Sequence, residues 1–136
     1  MKPKVLVVDD DAEFTELIRY NLQQRGWEIL SAHNGIQGLR LARAGLPDVI
    51  LLDVMLPDLD GLSVCQILNS QTSTSDVPVF IISALDIVCA GTTKSPARFA
   101  WFIRKPVSLA VLAERVQSAF AERQAQVQRR LQDDYR

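Results

Sequence analysis

A chain of 136 residues with 48% hydrophobic and 23% charged content is long enough to close one core and too apolar to stay disordered. No apolar run approaches the roughly 18 residues of a membrane span, so no membrane partner is expected, and Met1-Lys2-Pro3 leads into a strand-like run rather than a signal peptide. The net charge of −1 conceals a split: residues 44–93 hold six acidic and no basic residues, whereas residues 94–136 hold nine basic and four acidic ones.

The elements alternate along the chain. Lys4–Val8 is rich in β-branched residues and predicts the first strand. Asp10 or Asp11 can cap the helix that follows, with Glu13 placed for a capping box on Asp10. Phe14, Leu17, Ile18 and Leu22 form its apolar stripe, and Gly26 is placed to end it. Glu28–Ala32 predicts the second strand, and His33 beyond it stands in a polar loop without a metal-ligand partner. Asn34 can cap a short helix with Ile36, Leu39 and Ala42 facing inward, stopped by Gly45-Leu46-Pro47. The third strand is predicted over residues 48–52, an unbroken apolar run from Val49 that ends on the carboxylate of Asp53. Pro57, Asp58, Asp60 and Gly61 break the chain into a loop. A helix is expected over 61–69, burying Leu62, Cys65 and Leu68, and a fourth strand over 77–83.

A fourth helix is expected over 86–98, but Gly91, Thr92, Thr93 and Pro96 make it a poor one and the least ordered part of the chain. Ala100–Arg104 predicts the fifth strand. A fifth helix starts at Ser108 with Leu109, Leu112, Val116 and Phe120 on one face, and can run to about Asp134, roughly 40 Å. Heptad positions continued from Val116 and Phe120 fall on Arg123 and Arg130, which argues against a strong coiled coil. Residues 1–121 therefore form one domain and residues 122–136 a helical extension or linker stub, with an exposed tail, a homodimer contact and a link to an output domain as its alternatives. The basic end is a solvated mixed-charge helix on the plainest reading, and direct nucleic-acid binding is not expected of it. Cys65 and Cys89 lack metal-ligand spacing and are expected free, reduced and buried in a cytoplasmic protein.

Strands alternating with helices predict an α/β fold: a doubly wound, five-stranded parallel sheet in the flavodoxin-like order 2-1-3-4-5, with an extended C-terminal helix. In that order strands one and three are neighbours at the topological switch point, where ligands bind outside the carboxyl ends of strands. Asp9, Asp10 and Asp53 then converge on one crevice. Left alone they repel, and at least one of their pKa values must rise. A divalent cation removes the conflict, and magnesium, a hard ion held by carboxylates and waters beside phosphate oxygens, fits best. Ser83 ends the fourth strand with a hydroxyl, and Lys105 follows the fifth with a point charge suited to a phosphoryl oxygen. A cis bond before Pro106 would fix where that lysine points. Acids, metal, hydroxyl and lysine together suit phosphoryl transfer to a carboxylate.

Four stretches, each closing a predicted strand, carry a resemblance. They are Val7-Val8-Asp9-Asp10, the run from Asp53 through Met55, Pro57 and Asp60 to Gly61, Ser83-Ala84, and Lys105-Pro106. In this order they resemble the receiver domain of bacterial two-component response regulators over residues 4 to about 120. The resemblance implies that Asp53 accepts a phosphoryl group from a sensor histidine kinase or phosphotransfer protein, and that an unnamed downstream protein reads the change. It implies that Asp9, Asp10, Asp53 and the Met55 carbonyl hold magnesium, that Ser83 and Lys105 bind the phosphoryl group, and that Ser83 and Phe102 form the switch pair. It places Met55 and Leu85 beside the approach of the water that removes the phosphoryl group; both are apolar, which implies a long-lived adduct. Trp101 and the poor helix of 88–96 depart from the family pattern. An enzyme of another class, a magnesium-dependent phosphohydrolase with an aspartate nucleophile, would need a second acid where Met55 stands. A receiver kept as an unphosphorylated scaffold is the third reading.

Overall fold

Every residue of Val49–Asp53 and of Val79–Ser83 is buried, so both faces of these strands must be covered, and that requirement sets the layering. A computed structural model of the chain describes residues 2–84 and 100–134. Strands β1 (Lys4–Val8), β2 (Glu28–Ala32), β3 (Val49–Asp53), β4 (Val79–Ser83) and β5 (Ala100–Arg104) form one five-stranded sheet in the order β2-β1-β3-β4-β5. All its pairings are parallel. Alternate residues point to opposite faces. Val5, Val7, Leu51, Phe80, Ile82 and Ile103 face one core, closed by Ile18 and Leu22 of α1 (Ala12–Gln24) and Leu112 and Val116 of α4 (Leu109–Asp134). Leu6, Val8, Ile50, Leu52 and Ile81 face the other, closed by Ala42 of α2 (Gly35–Gly45) and Val64, Cys65 and Leu68 of α3 (Gly61–Ser70). Burying each such aliphatic side chain contributes about 1.5–3 kcal/mol. The fold class and strand order expected from the sequence are those observed.

Several local expectations shift, each for a physical reason. The cap of α1 is Asp11, whose side chain accepts the Phe14 amide at 3.2 Å. With the cap one residue later, Glu13 falls outside the reciprocal position and the capping box on Asp10 does not form. Leu17 is 53% exposed, because α1 packs along Thr15, Ile18 and Leu22 and the residue before Ile18 sits about 100° off that seam. Ile36 is also exposed, since α2 turns Gly35, Gly38 and Ala42 inward. A Cβ on Gly38 would lie 2.9 Å from the Val8 side chain, so this helix packs close by lacking side chains rather than by presenting large ones. Leu62 is only half-buried, and Val64 takes the inward place. β3 starts at Val49, one residue late: the Asp48 amide still donates to the Lys4 carbonyl at 2.8 Å, but the Lys4 amide goes to the Asp48 carboxylate, also at 2.8 Å, rather than to a backbone carbonyl. β4 starts at Val79 because Pro78 has no amide to give. Gly26 ends α1 with φ +90, a backbone region where a side chain is strained.

The last helix is 26 residues long and buries Leu112, Ala113, Val116 and Ala119. Past the Phe120 ring, which meets Trp27 edge-on at 5.3 Å, it follows the amino ends of the strands. Arg123 lies 3.7 Å from Asp48 and Arg130 lies 3.2 Å from Asp76. The two arginines that interrupt the heptad pattern thus pair with acids of the domain's own acidic half. Cys65 is a free, buried thiol, and burial pushes its pKa up to about 11. Cys89, Leu85 and the helix expected over 86–98 lie outside the described residues.

Candidate functional site

The site follows from register. Val8 pairs with Leu52 across β1 and β3, so the next residue of each strand, Asp9 and Asp53, emerge side by side at the carboxyl end of the sheet. Asp9 is 2% and Asp53 8% exposed, while Asp10 turns outward. Asp9, Asp10 and Asp53 each offer a carboxylate oxygen within 4.8 Å of the others. Asp9 is held by its Oδ1, which accepts the Asp11 amide at 2.9 Å, and by its own amide, which donates to the Ala32 carbonyl at 3.1 Å. Asp53 Oδ1 accepts the Met55 amide at 3.3 Å.

Among the described residues, one cation faces these acids. Lys105 Nζ lies 3.1 Å from Asp9 Oδ2 and 3.9 Å from Asp53 Oδ2. Its backbone amide donates to the Ser83 carbonyl at 2.8 Å, which ties the ends of β4 and β5 together, and the Lys105–Pro106 bond is cis. The ammonium also sits 4.3 Å above the Phe14 ring, a cation–π contact worth about 0.5–2 kcal/mol. Phe14 escaped the sequence reading because it doubles as part of the apolar stripe of α1.

Charge balance at the site is unfavourable. Burial and the neighbouring Asp9 charge raise the Asp53 pKa; Lys105 and the Met55 amide pull it down, Asp10 pushes it up again, and the net direction is upward. Holding the carboxylate ionised therefore costs stability, which a further cation would restore. Three converging carboxylates in a partly buried crevice, all hard oxygen donors, suit a divalent ion such as magnesium.

The loop from β3 to α3 closes tightly beneath the acids. Met55 and Asp60 form an antiparallel bridge, and the Gly61 amide donates to the Val54 carbonyl at 2.9 Å. A Cβ on Gly61 would lie 2.1 Å from the Asp53 carbonyl oxygen, so only glycine fits there. The Met55 side chain is 63% exposed. Asp58, which the sequence marked only as a loop former, reaches out of this loop. Its Oδ1 accepts the Gly35 amide at 2.7 Å and its Oδ2 the Ile36 amide at 2.9 Å. Desolvation by the neighbouring backbone acts to raise the pKa of this exposed carboxyl, but the amides of Ile36, Gly35 and Leu59 outweigh that and hold it below the usual range.

Ser83 ends β4, buried, in register with Arg104 of β5. Phe102 is half-buried against the core that α2 and α3 close. Trp101 is 38% exposed and stacks on Phe80, ring centroids 5.2 Å apart. Asp9, Asp10, Asp53 and Lys105 are thus brought together, Met55 joins them through its amide on Asp53 and Ser83 through its carbonyl on the Lys105 amide, and Leu85 is outside the described residues. Among the described residues no helix is long and apolar enough to cross a membrane.

Residues 5–117 match the family model described as the response regulator receiver domain. The chain is 42% identical over 83 residues to the DNA-binding dual master transcriptional regulator RpaA of a Synechocystis strain, covering 61% of this chain and 34% of that protein. It is 35% identical to the response regulator MprA of Mycobacterium ulcerans over 118 residues, 87% of this chain and half of that one. The matched stretch therefore spans half or less of the length of these relatives. Among solved structures, the receiver domain of the Francisella response regulator 1452 superposes with a TM-score of 0.77 at 34% identity, covering 88% of this chain and 98% of that one. A CheY-like receiver from Methanospirillum hungatei gives a TM-score of 0.81 at 20% identity over 93% and 99% of the two chains, a likeness of fold.

Proposed function

This chain belongs to the response regulator receiver domain family, and from that premise we propose that Asp53 accepts a phosphoryl group from a sensor histidine kinase or phosphotransfer protein. An Asp53 carboxylate oxygen attacks phosphorus in line as the bond to the donor's histidine nitrogen breaks, and the imidazole leaves with the electron pair. Asp9, Asp10, Asp53 and the Met55 carbonyl hold magnesium, which supplies positive charge to the phosphoryl oxygens. Lys105 leaves Asp9 for a phosphoryl oxygen, and the Ser83 hydroxyl donates to another. Ser83 and Phe102 relay the change to the surface that a downstream protein reads. The observation that carries this reading is the convergence of Asp9, Asp10 and Asp53 within 4.8 Å under a single lysine.

Residues 1–121 form the switching unit and 122–136 its helical extension or linker stub, through which a second copy of the chain could also dock. The cytoplasmic location and the absence of catalysis beyond self-phosphorylation and self-dephosphorylation belong to the same reading. A phosphohydrolase is disfavoured because Met55 occupies the place of its second acid. Met55 and Leu85 offer no group to orient an attacking water, so the adduct is long-lived.

Incubation with a small phosphodonor and magnesium, followed by mass measurement, tests this. A gain of about 80 Da, one phosphoryl group, is expected on Asp53, persisting for minutes or longer after the donor is removed. It is absent in Asp53→Asn. No adduct in the native protein would leave the scaffold reading, and an adduct that survives the substitution would overturn the assignment.

A further inference from the structure

Asp58 makes contacts that nothing in phosphoryl transfer requires. It stands midway along the loop between β3 and α3, and it is not among the acids whose oxygens converge. Its carboxylate crosses to another element instead. Oδ1 accepts the Gly35 amide at 2.7 Å and the Leu59 amide at 2.9 Å, and Oδ2 accepts the Ile36 amide at 2.9 Å. Gly35 and Ile36 are the first two residues of α2, whose next amide, that of Gln37, is already taken by the Asn34 side chain at 2.8 Å. The amides that open this helix are thus met by two side chains, one local and one from a distant loop. Charge favours the contact, since a carboxylate meets the positive end of the helix dipole. Shape favours it as well: a Cβ on Gly35 would lie 2.9 Å from Leu59 Cβ, so loop and helix touch.

The loop is consequently pinned at two places. Its base is closed by the Met55–Asp60 bridge and the bond from the Gly61 amide to the Val54 carbonyl, and its tip is fastened to α2 by Asp58. Met55 belongs to that base, with its amide on the Asp53 carboxylate, so a tip fastened by Asp58 limits how far the base can shift. We propose that Asp58 is a positioning residue for the divalent cation: by fastening the loop tip to the start of α2 it holds Met55 and Asp53 where the cation is bound. The proposal rests on the metal-assisted reading above and adds to it a residue that does not touch the metal. Linkage makes the effect reciprocal, so that cation binding protects the Gly35 and Ile36 amides.

The test titrates the full chain with magnesium by calorimetry and follows amide hydrogen exchange at Gly35 and Ile36. Asp58→Ala is expected to weaken magnesium binding about 10-fold, the usual effect of removing a group that supports a metal ligand. Asp58→Asn keeps one acceptor oxygen, gives an intermediate loss, and carries the test if Asp58→Ala unfolds. Raising magnesium should restore the phosphorylation rate of either variant, and magnesium should slow exchange at Gly35 and Ile36 only where Asp58 is present. A merely structural role would lower the urea midpoint and leave the magnesium affinity of the folded protein unchanged, which would overturn the proposal while sparing the reading beneath it. If the native protein showed no Asp53-dependent magnesium binding, both would fall.

Discussion

The two ends of the sheet carry the same residue type to opposite effect. At the amino ends of the strands, Asp48 accepts the Lys4 amide and lies 3.7 Å from Arg123, and Asp76 lies 3.2 Å from Arg130. Each acid there has its own arginine. At the carboxyl ends, Asp9 and Asp53 share Lys105, Asp10 stands within reach of both acids, and the Asp53 pKa is driven upward. An aspartate at a strand end is therefore a fastening where its charge is met and a site where it is not. Among the described residues, the excess of negative charge at that end makes an ionised Asp53 costly, and a bound cation would compensate it.

Removing the one shared cation sharpens the contrast most. Lys105→Ala leaves Asp9 and Asp53 without their ammonium in a partly buried crevice; breaking a buried pair from one side costs about 3–5 kcal/mol, and the partial exposure of Lys105 puts this change at or below the low end of that range. The same change should tighten magnesium binding, because the competing ammonium is gone. Urea unfolding and calorimetry measure the two effects, and they are expected to have opposite signs.

Acid separates Asp53 from Asp58. The Asp58 pKa is lowered in the fold, so its contribution is present above the unfolded value of 3.8 and is lost as pH falls through the folded value. The Asp53 pKa is raised, so ionising it lowers stability as pH climbs from 3.8 through the folded value. The gap in urea midpoint between native protein and Asp58→Asn should be largest at neutral pH and shrink below pH ~4, near the usual carboxylate range. A gap that widened toward acid would reverse the assignment.

The smallest effect belongs to the other end of the sheet. Arg130 pairs with Asp76 at the surface, and Arg130→Ala should cost roughly 0–1 kcal/mol and less in high salt. Arg123→Ala, at a half-buried pair, should cost somewhat more, still about 1 kcal/mol. Neither should change the rate of phosphodonor uptake. A fall in that rate with Arg123→Ala would show that the two ends are coupled.

What the sequence could show followed range. The apolar runs of β3 and β4 mark strands covered on both faces, and their placement brings Asp9, Asp10 and Asp53 together once the strand order is taken. Local ambiguity left the cap of α1 open between Asp10 and Asp11, since Asp9, Asp10 and Asp11 stand in a row; Asp11 takes it, and only the capping box on Asp10 fails. Periodicity overcounted Leu17 and Ile36, which are apolar but lie off the seams that the sheet selects. Asp58 and Phe14 were missed because their roles depend on partners far along the chain, a helix start 22 residues away in one case and a lysine beyond β5 in the other. The arginines of the extension were visible as breaks in a heptad, but the aspartates that meet them could not be assigned before the strands were placed.

The uncompensated charge at the carboxyl ends is tested most directly by urea unfolding of the native protein and Asp53→Asn, each with and without magnesium. Like charges about 5 Å apart repel by roughly 3 kcal/mol at an effective dielectric of 20, and Lys105 offsets part of this. Without magnesium, Asp53→Asn should be the more stable of the two by about 1–2 kcal/mol, a difference of that size after the offset. Saturating magnesium should raise the native protein far more than the variant, closing or reversing the gap. An Asp53→Asn protein that is less stable without magnesium, or equal shifts in both proteins on adding it, would contradict the claim.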